Sequence, residues 1–464
     1  MRNMDVMKGG NMANFDRIAN FCLAETAQAM PPAAIEMAAW LMLDTLGVAF
    51  AATPMEAGQI AGKTAKSLYG ATGGAPAARI IGDGARVSPA GAGFAAAMAT
   101  DNLDAHDGYN PCKGHIGVAV IPAVAALADE LAELGQGPLS GPDALAAVVV
   151  GYEIAGRAGL SLHASVSDYH TSGAWNALGV AAMGARLHGM DRDGLRHALG
   201  IAEYHGPRSQ MMREIANPTM LHDGSSMGAL VGLSAVSMAR LGMTGAPAIT
   251  IEADEVAHFW ADLGTHWIVQ HQYIKPYPIC RWAHGSIDAV AKIMGENGLS
   301  ASDIAAVEIR TFDQGVALFD GMPETTSQAQ YSLKFAVANM IQHGEIGVAQ
   351  ISGAGLGDES VAALLPRISV AAADKHNARF PAGRWADATI ETRDGRRLDS
   401  GDVNASGSAE EPWSHAQILD KFNRLAEPVL GVARAHALAE AVIGLPSGSS
   451  AWDDVAQYLY QPLD

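Results

Sequence analysis

The side chains best able to move protons in this chain crowd into one loop. Between Asp101 and His115 stand Asp104, His106, Asp107, Cys112 and Lys113, and the segments on either side are apolar. Loop charge is ordinarily solvated; with flanks this apolar, these side chains must enter a cleft or be covered. A second stretch, Asp168–Trp175, sets His170 at the start of an Ala-rich segment, where Thr171 or Ser172 could equally be a helix cap and His170 incidental. A third, Asn217–Ser226, carries His222 and follows Arg208 and Arg213; alone it says little. In the fourth, Ile274–His284, prolines hold an extended loop that presents Lys275 and Arg281, an arrangement suited to clamping a carboxylate.

Other chemistries are poorly provided for. The acids and histidines of the first loop show no H-E-x-x-H or other zinc spacing, so no metal is expected. Cys112 reads as a small buried hydrophobe rather than a nucleophile. There is no Walker loop, and Gly82-Asp83-Gly84 lacks the G-x-G-x-x-G context of a dinucleotide site. An enzyme without metal or organic cofactor is expected.

The chain has 464 residues, 49% apolar and only 17% charged, so it can bury large cores, and two domains are the natural expectation. Its net charge of −19 repels nucleic acid and anionic lipid, and neither is an expected partner. A small carboxylate stays compatible, because a pocket can concentrate a few cations locally. Three cysteines suit a reducing compartment, and the N-terminal residues show no signal or transit pattern, so a cytoplasmic location is expected. The apolar run Ile116–Ala128, broken by Pro122, falls short of the ~20 residues that span a bilayer and reads as a buried helix.

These stretches must be positioned by helices over most of the chain. From Pro31 to Leu241, Ala-rich segments alternate with Gly, Pro and Ser punctuation. Ala33–Ala51 is apolar on nearly every face and predicts a central helix; Ser140 is a plausible cap for Asp143–Leu162. Near Ser300 the pattern changes: Ala305–Phe312, Arg367–Ala373 and the pair Asp387–Thr392 and Arg396–Asp399 read as strands, the last two as a hairpin, with Tyr331–Gln342 helical. From Ser414 the chain returns to helix. The fold class is mainly α, with a smaller α+β region.

In order and spacing, the four stretches resemble the 2-methylcitrate dehydratase family, also called MmgE/PrpD. The resemblance extends to Leu43-Asp44-Thr45-Leu46-Gly47, Gly151-Tyr152-Glu153, Ala329-Gln330-Tyr331-Ser332-Leu333, and Pro412-Trp413-Ser414 leading to Lys421-Phe422. It implies a large helical domain built from both chain ends (1–270 and 409–464), an inserted α+β lid domain (271–408), a homodimer and a metal-free pocket between the domains. Members dehydrate, decarboxylate or epimerise at carbon next to carboxylates. The family's loop acid falls on Asp104, its histidines on His115 and His170, and its lysine on Lys275. His106 replaces a second loop acid; Thr219 stands where decarboxylase-like members have lysine, and Phe335 where some have tyrosine, with Tyr331 nearby.

The resulting expectation is a hydro-lyase on a hydroxy di- or tricarboxylic acid, with an epimerase or decarboxylase as the alternative reaction and a non-catalytic metabolite-binding protein as the alternative class. His115 and His170 serve as the acid/base pair, Asp104 orients one imidazole, and Lys275 handles substrate charge. Lys113, Arg281, His222, Arg208, Tyr331 and His106 are the expected substrate-binding residues. Lys275 is expected to be an aimed cation whose removal barely alters stability.

Overall fold

The computed structural model describes residues 12–463. The fold is mainly α, with a small α+β region. Helix Pro32–Ala52 opens with proline in its first turn and is buried along nearly its whole length, as its all-round apolarity requires. Against it pack Pro89–Leu103, Gly117–Glu133 and Gly141–Ser165, and on those in turn pack Gly173–Leu187 and Ser225–Arg240. Ser88 and Ser140 cap two of these, accepting from the amides of Gly91 and Asp143 at 3.1 and 3.2 Å. Pro32–Ala52 and Gly141–Ser165 are long and apolar enough to cross a membrane, but 83% and 94% of their apolar windows lie inside the fold. They are core helices.

Two hydrophobic cores result. The first runs from Phe15 to Ile274 and resumes at Ile418–Tyr460. The second gathers the segment from Ile279 to Ile390, and it also takes in Val48, Ala51, Leu103, Ala105 and Met211 from the helical body. The ends of helices Pro32–Ala52 and Pro89–Leu103 therefore serve both cores, and the proton-rich loop leaves from that seam.

The sheet of the second core runs in the order Ile368–Ala372, Ile304–Thr311, Trp385–Thr392, Arg397–Asp399. The first pair is parallel, with Val307 opposite Ile368; the others are antiparallel, with Ile309 opposite Ala388 and Ile390 opposite Leu398. Helices Arg281–Asn297 and Leu333–His343 pack together beside it. The expected strands and hairpin all form. The two-residue ribbon Ala78–Arg79 with Arg86–Val87 was not expected, being too short to show alternation.

The C-terminal helix His415–Leu430, capped by Ser414, lies along Pro32–Ala52. There Lys421 Nζ stands 2.6 Å from Asp44 Oδ1 with both groups buried. The ammonium also donates to the Ala105 carbonyl at 2.6 Å. Burial raises the pKa of Asp44 and lowers that of Lys421, and each charge supports the other. Lys421→Met should cost about 3–5 kcal/mol, the usual result of stranding a buried charge. Adding Asp44→Leu should recover most of it in urea denaturation. Equal losses in the single and double variants would show that the pair is not the source.

Candidate active site

Helix Pro89–Leu103 stops because Asp104 turns into the left-handed region, at φ 53°. Lys113 (57°) and His222 (47°) share that conformation, and among the described residues these three are the only non-glycines with positive φ. Each costs on the order of 1 kcal/mol, and such strain gathers at functional sites. The buried Asp104 carboxylate pairs with Lys275 Nζ, and the same ammonium donates to the Asp104 carbonyl at 2.9 Å. Gly108 exchanges backbone hydrogen bonds with Tyr273 at 3.1 and 2.8 Å. A Cβ at Gly108 would lie 2.4 Å from the Tyr273 ring, so the approach needs glycine.

Two imidazoles meet beyond that turn. His115 Nδ1 lies 2.7 Å from the Asp107 carbonyl, which can only accept; Nδ1 therefore carries the proton and Nε2 is bare. That Nε2 is 3.6 Å from Asp223 Oδ2. Asp223 Oδ1 accepts from the amide and hydroxyl of Ser172 at 3.1 and 2.9 Å. Burial, helped by the nearby Lys275, holds His115 well below the ordinary histidine range. Burial and then Asp101 push Asp223 up to about 7. The site thus offers a neutral imidazole facing a carboxyl group that titrates near neutrality.

Lys113, Lys275, Arg281 and Arg384 line the same cavity as Asp104, His115 and Asp223, with Tyr169, Tyr273 and Tyr331 among its walls. Arg281 donates to the carbonyls of Ser406 and Ala405 at 2.8 and 3.0 Å, lies over the Tyr273 ring, and is pushed down by burial to about 10. Arg384 donates to the carbonyls of Pro381 and Gly383, while its Nε has no hydrogen-bond partner among the described residues. The cavity holds only about 20 Å³, room for about one water. A wider, largely apolar cleft of about 710 Å³ runs behind Ala105 and Pro276, but the cavity's acids, His115 and arginines do not line it.

Residues 16–261 match the MmgE/PrpD N-terminal domain and residues 277–445 the MmgE/PrpD C-terminal domain. The chain belongs to the MmgE/PrpD family. Among its relatives is a human (Homo sapiens) cis-aconitate decarboxylase, 23% identical over 428 residues that cover 87% of this chain and 86% of that protein. A cis-aconitate decarboxylase of Aspergillus terreus is 24% identical over 404 residues, 80% of this chain and 81% of that protein.

Of the family positions, Asp104, His115 and Lys275 line the cavity, as do Lys113, Arg281 and Tyr331. His106 and His222 stand just behind it, buried, with the His222 ring tilted 51° against Tyr331 at 5.4 Å and neither of its nitrogens hydrogen-bonded among the described residues. His170 is outside the lining: its Nδ1 faces the Asp168 carbonyl at 3.0 Å, and its amide donates to His163 Nε2 at 3.2 Å. Arg208 is exposed and also outside. Thr219 donates to Glu214 and Phe335 is fully buried; neither touches the cavity.

Sequence reasoning missed Asp223, Ser172 and Arg384. Asp223 is the neighbour of His222, and in the sequence Ser172 stands only as one of two possible caps. Ser172 does start its helix, but its oxygen makes no capping bond, serving Asp223 and the His115 amide instead. Arg384 follows Phe380-Pro381-Ala382-Gly383, where nothing in the pattern marks a site. Elsewhere His376, Asp387 and Asp402 bring three ligand-type atoms within 4.8 Å of one another, but Lys375 bridges both carboxylates and Arg310 and Arg379 pair with them. That cluster is already neutralised.

The expectation that Lys275 could be removed without structural consequence fails, because the residue is fully buried and is the partner of a buried carboxylate. Lys275→Met should lower stability by about 3–5 kcal/mol. Thermal or urea unfolding of the single variant and of the variant combined with Asp104→Asn checks this; the double variant should be the more stable of the two.

Proposed function

We propose that this chain is a lyase that dehydrates a small hydroxy di- or tricarboxylic acid, with the His115–Asp223 pair as its proton-transfer unit. The observation that carries the reading is the bare His115 Nε2 facing Asp223 inside a cavity lined by four cations. Lys275, Arg281, Arg384 and Lys113 hold substrate carboxylates and spread the negative charge that builds when the adjacent carbon loses its proton. His115 Nε2 takes that proton, and ionised Asp223 stabilises the imidazolium so formed. The imidazolium returns the proton to the β-hydroxyl; the C–O bond breaks, a C=C bond forms and water leaves. One pair suffices for both transfers, which accounts for the absence of His170 from the cavity lining.

Decarboxylation is the second reading, favoured by the names of the relatives. It needs a proton donor rather than a base, so the two reactions demand opposite protonation states of one pair. With Asp223 titrating near 7, dehydration requires the ionised carboxylate, and kcat/KM rises with pH through about 7. Decarboxylation would fall through the same range. Candidate hydroxy and unsaturated polycarboxylates followed by proton NMR, with released carbon dioxide measured in parallel, should show an alkene product. Carbon dioxide instead would select the second reading; deuterium exchange alone would select epimerisation, and ligands bound but unchanged would select a binding protein. His115→Asn should lower turnover by at least ~10²-fold.

A homodimer is also proposed. Met212, Leu221, Met227, Met238, Leu241 and Met243, all within one stretch of chain, are exposed apolar side chains that a second copy would cover. Light scattering should give twice the chain mass, and a monomeric mass would refute it.

A further inference from the structure

His115 and Asp223 have a near copy behind them. The Asp107 carbonyl that fixes His115 is also approached by His106 Nδ1, at 3.3 Å. A carbonyl oxygen has two lone pairs and no proton, so both rings carry hydrogen on Nδ1 and both present a bare Nε2. His106 Nε2 faces Asp101 Oδ1 at 3.5 Å, just as His115 Nε2 faces Asp223 Oδ2 at 3.6 Å. The rings stand edge to face, 86° apart with centroids 4.5 Å from each other. The carboxylates are matched as well. Asp101 Oδ2 accepts from the Ser225 amide at 3.0 Å, and Asp223 Oδ1 accepts from Ser172. Each acid has one oxygen pinned by donors and the other turned toward a nitrogen with no proton to give.

We propose that Asp101 and His106 form a second, enclosed acid–imidazole pair that sets how tightly Asp223 holds its proton, and thereby the pH range in which the site works. Rested on the His115–Asp223 reading, this makes Asp101 a positioning residue, for it is buried and absent from the cavity lining. No protein donor reaches His106 Nε2 among the described residues, so a proton on Asp101 is what makes that contact attractive. The same holds for Asp223 and His115. Ionising both acids puts two like charges into one buried region, whereas ionising one makes the other retain its proton. Burial pushes both acids up to about 7, in Asp223 with Asp101 as the next cause.

The surroundings do not cancel this coupling. Asp101 feels Lys275 as well as His106, and it acts on Glu214. Asp223 feels Asp104 of the same sign, and acts on the hydroxyls of Tyr169, Tyr273 and Tyr331 and the thiols of Cys112 and Cys280, none of which ionises near neutral pH. Lys275 is already paired with Asp104.

Infrared difference titration of the free protein follows the protonated-carboxyl band, with Asp223→Asn assigning the Asp223 contribution. In Asp101→Asn the like charge is gone, and Asp223 should lose its proton at a pH lower by about one unit or more. In His106→Gln an amide N–H can face Asp101 and stabilise its anion, so Asp223 should keep its proton to higher pH. The pH limb of kcat/KM should follow in each case, with KM well below the limb little changed. Opposite shifts support the proposal. An unmoved Asp223 midpoint, or shifts of the same sign as a general loosening would give, overturn it; if Asp101→Asn does not fold, His106→Gln alone decides. Infrared shifts without any movement of the kinetic limb would instead remove His115–Asp223 as the proton-transfer unit while leaving the coupling intact.

Discussion

A single ammonium that touches both the side chain and the main chain of one aspartate holds this site together. Lys275 reaches Asp104 at its carboxylate and its carbonyl, so it fixes the orientation of the residue and not merely its charge. Asp104 is the left-handed end of a helix from the first core, and Lys275 begins the proline-stiffened segment that leads into helix Arg281–Asn297 of the second. The contact therefore sets the register between the cores. Neighbouring backbone bonds follow from it: Gly108 to Tyr273, and Ile274 to Gly407 at 2.9 Å. A buried ion pair is seldom more stabilising than apolar packing of the same volume. Its worth here lies in geometry, since it decides where the loop's imidazoles point.

Much of this was legible in the sequence, and the remainder failed for identifiable reasons. Helix Pro32–Ala52 and the strands around Val307, Ile368 and Ile390 announce themselves through all-round apolarity or alternation, which report burial directly. The loop from Asp101 to His115 was conspicuous because charge between apolar flanks has few places to go. Periodicity reports burial but not which buried polar residue of a short stretch reaches the cavity, so the sequence points to His170 and His222 where Ser172 and Asp223 make the contacts to His115. The sequence marks Lys275 as an aimed cation but not as the partner of a buried carboxylate, because Asp104 is 171 positions away. Arg384 was invisible for the same reason: only tertiary closure brings it to the cavity.

The electrostatics of the site run against those of the whole chain. A net charge of −19 repels anions at long range, yet four cations meet in one cavity with two acids. Within that space the low dielectric makes every charge costly unless paired. Histidines respond by staying neutral, His106 and His222 each held down to about 3 by burial. Acids respond by holding protons. The combination leaves the cations as the principal fixed charges facing an incoming ligand, and it leaves the proton as the mobile one.

That balance bears on how a ligand is admitted. A cavity with room for about one water cannot receive a polycarboxylate without movement of its walls. Those walls come from different parts of the chain: Lys113 and His115 from the loop of the helical body, Arg281 from the start of its own helix, Arg384 from the approach to the strand Trp385–Thr392. Around the cavity each cation keeps a local partner, Asp104 for Lys275, carbonyls for Arg281 and Arg384 and the Tyr169 ring for Lys113, while the like charges repel one another. A dianion or trianion between them turns that repulsion into attraction, so closure is favoured most when the right number of carboxylates is present. A ligand that completes the charge balance would also displace water from between His115 and Asp223, which strengthens every remaining electrostatic contact there.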